Sequence, residues 1–174
     1  MESWYSSKLE PGSKVVLSES GYINKEISLI FLDYIAKHTN ARLDKPPKIL
    51  LIDRYSSHID KDFTIKATSY NIYLCLFPGH LTYILQPLDI GVFQPYKHWH
   101  KKAVQYIMRD LDLDYNMASF MRNLRDIRIE TFKAGTIYSA FRKAGIWPIN
   151  CKTALDKIKI YSPPEPAPEL PVLP

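Results

Sequence analysis

Cysteine is scarce in this 174-residue chain, which has only two, Cys75 and Cys151, far apart in the sequence. Such a pair does not make a disulfide framework, so the composition favours a reducing, intracellular compartment. No apolar run approaches the roughly 18 residues of a membrane span, and the N-terminal residues lack the basic-then-apolar order of a secretory signal. The six glycines form neither a phosphate-binding loop nor a hydrolase nucleophile elbow, which argues against those common enzyme classes.

The composition that remains is that of a folded, mildly basic domain. Hydrophobic residues make up 46% of the chain and charged residues 24%, which is a globular profile with enough length for one real core. The net charge of +5 mildly favours an anionic partner. Proline is concentrated at the end, with six in the last thirteen residues. We therefore expect an extended, proline-rich tail over residues 161–174 that could bind a partner domain.

The first half of the chain predicts a strand–helix–strand unit. A short strand over Val15–Leu17 and an amphipathic helix from Asn24 to about His38 come first. The run Ile49–Asp53 is apolar at four consecutive positions, which is typical of a strand covered on both faces. A helix capped by Ser56 or Ser57 and a second apolar strand, Ile72–Phe77, follow. This order predicts a βαβ unit with two parallel strands.

The second half predicts helices. After a loop that ends near Pro87, a long helix begins near Asp89, and Pro95 should make its first turns irregular. The buried stripe that we expect on this helix comprises Val92, Tyr96, Trp99, Ala103, Tyr106 and Ile107. A further helix carries an apolar face from Met117 to Phe132, and a short one, Thr136–Ala144, ends at Gly145.

Two aspartates stand where ligands gather in α/β proteins. Asp53 ends the first apolar strand, and Asp89 lies at the predicted start of the long helix. Ligands collect beyond the carboxyl ends of parallel strands, and a helix N-terminus also favours a carboxylate. Aspartate is equally common as a cap of turns and helices, so capping remains an alternative for both. As a pair, the two carboxylates offer the hard oxygen ligands that a divalent cation such as Mg²⁺ prefers.

The sequence segments around these aspartates are specific enough to compare with known families. The segment "LLIDRYSSHID", followed after a gap by "LCLFPGHLTYILQPLDIGVFQPYK", resembles the catalytic domain of pogo-like transposases. These are DDE superfamily endonucleases within the mariner-type group. The most specific match is "LQPLDIGVFQPYK", and "AFRKAGIWPIN" is similar to the closing helix and turn of the family. The resemblance covers roughly residues 15–155.

The resemblance implies a fold, a cofactor and a role for each aspartate. The implied fold is α/β of RNase H-like type, here incomplete at its N-terminal side and followed by a helical C-terminal extension. Asp53 matches the second acid of the catalytic triad and Asp89 the third, and the triad would hold Mg²⁺ or Mn²⁺ for phosphodiester chemistry on DNA in the nucleus. The chain divides accordingly into a lead-in, a partial DDE domain, a helical extension and a tail, at residues 1–13, 14–110, 111–160 and 161–174.

The first acid of the triad is not evident. The family places it on an upstream strand that this sequence lacks. Glu19 is the one upstream acid after a strand-like run, yet it matches a surface turn of the family. The helix-turn-helix domain that the family carries N-terminally is absent too. We therefore expect a truncated and inactive chain, in which the missing strands leave a sheet edge open for association between copies.

Other family positions have changed around the site. Arg54 and Tyr55 stand where the family usually has Gly and His, and Tyr83 replaces a second His, whereas His58 and His80 match. A guanidinium beside Asp53 would compete with a metal ion for the carboxylate.

Positive charge is concentrated in the second half of the chain. Residues 91–160 hold 13 Lys and Arg against six Asp and Glu. Such an excess fits contact with DNA phosphates, although a solvated face without a ligand is the plain alternative. The residues predicted to bind nucleic acid are Lys97, Lys101, Lys102, Arg122, Arg125, Arg142 and Lys143. Two classes of function thus stay open, namely a DNA-cleaving enzyme or its inactive descendant, and a non-catalytic module that binds nucleic acid or protein.

Overall fold

The computed structural model describes residues 12–53, 60–110 and 115–161 as a helix-rich α/β structure with a small parallel sheet. It also contains a π-helical turn, Leu88–Val92. The elements are α1 (Lys25–Thr39), β1 (Lys48–Ile52), α2 (Lys61–Ser69), β2 (Ile72–Leu76), α3 (Thr82–Leu85), α4 (Phe93–Asp110), α5 (Met117–Thr131), α6 (Ala134–Ala144) and α7 (Cys151–Tyr161).

The predicted βαβ unit is confirmed. Strands β1 and β2 pair in parallel, with Ile49 opposite Tyr73 and Ile52 opposite Leu76, and α2 makes the crossover between them. The ladder continues one step past β2, because the backbone N–H of Phe77 donates to the carbonyl of Ile52 at 2.9 Å. The carboxyl ends of both strands therefore lie side by side, and Asp53 is the next residue after β1.

The main core lies between one face of this sheet and helices α1 and α2. Residues that face inward from these elements form one buried cluster: Leu32, Ala36, Ala41, Phe63, Ala67 and Ile72. Local signals set the ends of α1. The side chain of Asn24 accepts from the N–H of Ile27 at 2.9 Å, and Asn40 ends the helix in the left-handed conformation (φ 52°).

Polar contacts between side chains connect α1 to α2 at the edge of this core. The ammonium of Lys66 and the hydroxyl of Tyr70, in and just after α2, both donate to the carboxylate of Asp33 on α1, at 2.7 and 2.8 Å. Burial alone would raise the pKa of Asp33, but these hydrogen bonds hold it below its usual value. At the other end, Lys25 contacts the carboxylates of Asp60 and Asp62.

The expectation that β1 is covered on both faces is wrong for the part of the chain that the structure describes. Ile49 and Tyr73, which are opposite each other in the ladder, are 71% and 63% exposed. Helices α1 and α2 cover the other face alone, and no third described strand pairs with the sheet. A continuously apolar strand is suited to burial on both faces, but the described residues cover only one face of this sheet.

The C-terminal helices pack around the π-helical turn. Gly91 in this turn meets Ala140 of α6 so closely that a Cβ on Gly91 would lie 2.6 Å from the Cβ of Ala140. Helix α4 packs on α5, and α7 contacts α3 and α6. Pro95 stands in the first turn of α4, directly after the π-helical turn, so the expected irregularity at the start of the long helix is present.

Several local predictions are wrong. Val15–Leu17 is not a strand, and Thr82–Leu85 is a helical turn inside the predicted loop. The proposed caps Ser56 and Ser57 lie outside the described residues, and α2 instead begins at Lys61 after Asp60. Helix α7 lies mostly within the predicted helical extension, 111–160, but was not assigned as a separate helix, although Cys151, Ala154, Leu155 and Ile158 recur at helical spacing. On α4, Tyr106 is 60% exposed rather than buried.

Candidate functional site

Asp53 reaches the site from the sheet. It follows Ile52 directly at the carboxyl end of β1 and is half-buried. The structure does not describe the residues that follow Asp53. These include Arg54 and Tyr55, where the family usually has Gly and His, and the matching His58. The position of Asp53 is therefore the one expected for a ligand residue at the edge of a parallel sheet.

Asp89 reaches the site from the π-helical turn. It is the second residue of Leu88–Val92, and the residue before that turn is Pro87, so Asp89 is not in the N-cap position. The capping alternative for Asp89 is thus not supported by its place in the element. A π-helical turn is uncommon and often occurs at functional sites, because its wider winding reorients the side chains that it carries.

The two aspartates are electrostatically coupled. Partial burial raises the pKa of Asp89, and the negative charge of Asp53 raises it further, whereas Lys97 lowers it. Like charges raise each other's proton affinity only when they lie near one another with limited screening. Asp53 therefore lies within electrostatic range of Asp89, although the two residues are 36 positions apart in the sequence.

The chemistry of this pair suits a hard divalent cation. Two mutually repelling carboxylates favour either a proton or a metal ion between them, and Mg²⁺ is often held by one or two carboxylates with water and substrate phosphates completing its shell. No group of three His, Cys, Asp or Glu side chains that could hold a metal occurs among the described residues. The described residues therefore offer two carboxylates of the type that Mg²⁺ or Mn²⁺ prefers, but no complete metal-binding group.

The remaining family positions lie around this pair. His80 is exposed with a positive φ of 60°, and Tyr83 packs edge-on against Tyr161 of α7, with ring centroids 5.5 Å apart. Tyr83 therefore helps to seat α7. Glu19 lies in an exposed turn before α1 rather than after a strand.

The predicted nucleic-acid-binding residues are all exposed. Lys97, Lys101 and Lys102 lie on α4, Arg122 and Arg125 on α5, and Arg142 and Lys143 in the last turn of α6. Lys97 is also near enough to lower the pKa of Asp89, which links the basic residues of α4 to the carboxylate pair. The ammonium of Lys102 lies 4.7 Å from the ring centroid of Trp99.

Sequence reasoning missed one surface feature. Tyr138 and Arg142 of α6 and the loop residues Trp147 and Pro148 line a groove of about 290 Å³. The available signal was a tryptophan between Gly145 and Pro148, in a loop where no helical stripe would bury it.

Comparison with known proteins identifies the family. The chain matches the DDE superfamily endonuclease family over residues 7–141, which is most of its length and includes both aspartates. The chain therefore belongs to the DDE superfamily endonucleases. It also resembles a Cochliobolus lunatus protein named MFS-type transporter clz9, at 25% identity over 160 residues. No solved structure matches.

The match to the Cochliobolus lunatus protein is unequal in coverage. It includes 92% of this chain but only 17% of that relative, so this chain spans a small part of the relative's length. Among the described helices, none is both long and apolar enough to cross a membrane.

Proposed function

We propose that this chain is the metal-binding and DNA-binding part of a pogo-like transposase of the mariner-type group, built on an RNase H-like fold. The observation that carries the proposal is the place of Asp53 at the carboxyl edge of a parallel strand pair, with Asp89 near enough for the charge of Asp53 to act on it. The specific sequence around both residues supports the same assignment. A protein that acts on chromosomal DNA works in the nucleus, so the proposal includes that location.

The role of each side chain follows from its place. Asp53 and Asp89 would hold Mg²⁺ or Mn²⁺, which when bound supplies Lewis-acid stabilisation of phosphodiester chemistry. In this proposal the π-helical turn would orient Asp89 toward the strand end, and the close approach of Gly91 to Ala140 would hold that turn in place. The exposed lysines of α4 would attract the DNA backbone toward this edge of the sheet.

In this proposal residues 1–174 bind metal and DNA but do not cleave DNA by themselves. Two acids of the triad are present, and no third acid stands in a matching position of this sequence. Two further contacts remain proposals. The proline-rich tail would bind a partner domain, and the open edge of the sheet would pair with a second copy. A non-catalytic module that binds nucleic acid or protein is the second candidate, favoured by the exposed basic residues.

Metal binding is the decisive test. We expect Mn²⁺ at tenfold its dissociation constant to stabilise the protein by about 1.4 kcal/mol, or roughly 3–5 °C in Tm. Asp53→Asn and Asp89→Asn should each abolish this rise in thermal unfolding experiments. The exposed Asp126 of α5 provides a matched control, because Asp126→Asn changes the net charge equally and should keep the response.

The pH dependence of the metal response follows from the raised pKa of Asp89. A proton and a cation compete for the same carboxylate, so the rise in Tm with Mn²⁺ should be small below that pKa and grow as the pH rises through it.

The proposed lack of cleavage is tested with the same protein preparations, which should leave supercoiled plasmid uncut in Mn²⁺. Metal-dependent nicking that Asp89→Ala removes would refute the proposed inactivity, and a Tm indifferent to Mn²⁺ would refute the metal site.

DNA binding through the basic residues predicts a salt dependence. The logarithm of the affinity for duplex DNA should fall linearly with the logarithm of salt concentration, by about 0.9 for each phosphate neutralised. Lys97→Gln and Lys101→Gln should each reduce the slope by roughly one, whereas Lys61→Gln on α2 should not change it. Fluorescence anisotropy over a range of salt concentrations measures this. An affinity that salt leaves unchanged would contradict a phosphate-binding role.

A further inference from the structure

A groove on the C-terminal helices is lined by aromatic side chains and one guanidinium. It measures about 290 Å³ and is bounded by Gly135, Tyr138, Ser139, Arg142, Trp147 and Pro148. Trp147 and Tyr138 are 65% and 69% exposed, although both are large enough to stabilise a core if they were buried. Exposed aromatic residues that line a concave site together are typical of recognition surfaces rather than of packing.

The groove lies in the part of the chain that carries its net charge. Residues 131–161 contain six Lys and Arg and one Asp, whereas the whole chain contains 23 and 18, so the remaining residues carry equal numbers of both signs. The net charge of +5 is therefore matched by residues 131–161, and α6, α7 and the loop between them carry +4 of it. A surface of this kind attracts a polyanion.

Two of these cations are held beside the end of α6. The ammonium of Lys157 on α7 donates to the backbone carbonyl of Lys143 at 2.6 Å. Burial lowers the pKa of Lys157, and the positive charge of Lys143 lowers it further. A phosphate near this pair would relieve the repulsion between them. Arg142, the neighbour of Lys143 in sequence, lines the groove itself.

We propose that this groove binds an unpaired nucleobase of single-stranded DNA, stacked on Trp147 and Tyr138, with the adjacent phosphates contacted by Arg142 and Lys143. Every base has an aromatic face, so stacking on exposed Trp and Tyr, combined with a basic surround, binds single strands with little regard to sequence. This inference rests on the proposed function in that DNA is the ligand. It adds a contact to bases that the phosphate-binding residues do not supply.

The groove also fits a competing occupant, the proline-rich segment 162–174. Aromatic grooves bind extended proline-rich chains, and this segment carries Glu165 and Glu169. The charge of this part of the chain favours DNA, because residues 131–161 carry a net charge of +5, which attracts a polyanion more strongly than a segment with two carboxylates.

The test compares a dT12 oligonucleotide with a fully abasic 12-mer that has the same number of phosphates. Wild-type protein should bind dT12 about tenfold more tightly than the abasic strand, which is within the range expected for one stacked base. Trp147→Ala should remove this preference while leaving the affinity for the abasic strand unchanged. Trp147→Phe, which keeps an aromatic face, should retain most of it, and circular dichroism should show that both variants are folded.

The outcomes distinguish the groove from the broader function. If both strands bind equally and with the same salt dependence, the base-binding groove is refuted while binding of DNA phosphates stands. If neither strand binds, the DNA-binding function itself fails. A synthetic peptide of residues 162–174 that shifts the Trp147 indole N–H resonance, when dT12 does not, would assign the groove to the proline-rich segment and overturn the proposal. A shift with dT12 supports it.

Discussion

Replacing Phe63 by Ala is expected to destabilise the protein by about 3–5 kcal/mol. Phe63 of α2 is 2% exposed and belongs to the cluster in which α1, α2 and β2 meet. Truncation removes the favourable transfer free energy of the ring. It also leaves a cavity, because α2 packs against both the sheet and α1 and cannot move to fill the space. Domains of this size are stable by about 5–15 kcal/mol, so the loss is a large fraction of the total.

Equilibrium unfolding in urea, followed by far-UV circular dichroism, measures this loss. Ile65 lies two positions along the same helix and is 57% exposed, so Ile65→Ala is the matched control. It should change the free energy of unfolding by less than about 0.5 kcal/mol. Equal effects of the two substitutions would mean that the layer between the sheet and α2 is not the core of the folded protein.

Replacing Gly91 by Ala is expected to destabilise the protein by about 1–3 kcal/mol or more, although alanine is intrinsically the better helix former. The new Cβ would lie 2.6 Å from the Cβ and 2.8 Å from the Cα of Ala140, closer than such atoms approach in proteins. Because one of these atoms is backbone, the strain cannot be relieved by turning a side chain. Either α6 or the π-helical turn must move.

Gly135 of α6 gives the control, since a Cβ there meets nothing within 4 Å. Gly135→Ala should be neutral or stabilising, by up to about 1 kcal/mol, because it reduces the freedom of the unfolded chain. Gly91→Ala should also weaken the Mn²⁺ response in protein that remains folded, because the same turn carries Asp89. A folded Gly91→Ala protein with full stability and an unchanged response would show that the contact with Ala140 does not position the site.

The sequence was most informative where one physical requirement acts on a short segment. The apolar run before Asp53 predicted a strand, and the second run, at Ile72, predicted another. Because a helix separates the two strands in the sequence, they were expected to pair in parallel, and they do. The ends of α1 and α6 were likewise predictable, since Gly145 adopts the left-handed conformation that ends α6. Capping and periodicity are local, so no tertiary contact was needed to read them.

The errors arose where packing overrides local pattern. Val15–Leu17 has the composition of a strand but no described strand pairs with it, and a strand requires a hydrogen-bonded neighbour. Helix α7 was not assigned from the sequence, and it packs through contacts with α3 and α6, including Tyr161 against Tyr83. The loop position of Trp147 was a local signal, but only the tertiary structure shows that its ring lines a groove together with Tyr138.

The sequence by itself determined the family segments, the βαβ unit and the identity of the two aspartates. The tertiary structure alone decided that the charge of Asp53 raises the pKa of Asp89, that a π-helical turn packed through Gly91 on α6 carries Asp89, and that Tyr138 and Trp147 line a groove beside Arg142. The physical reason is that hydrogen bonding and periodicity act between near neighbours in the chain. Electrostatic coupling and close packing depend on distances between residues that the chain order leaves far apart.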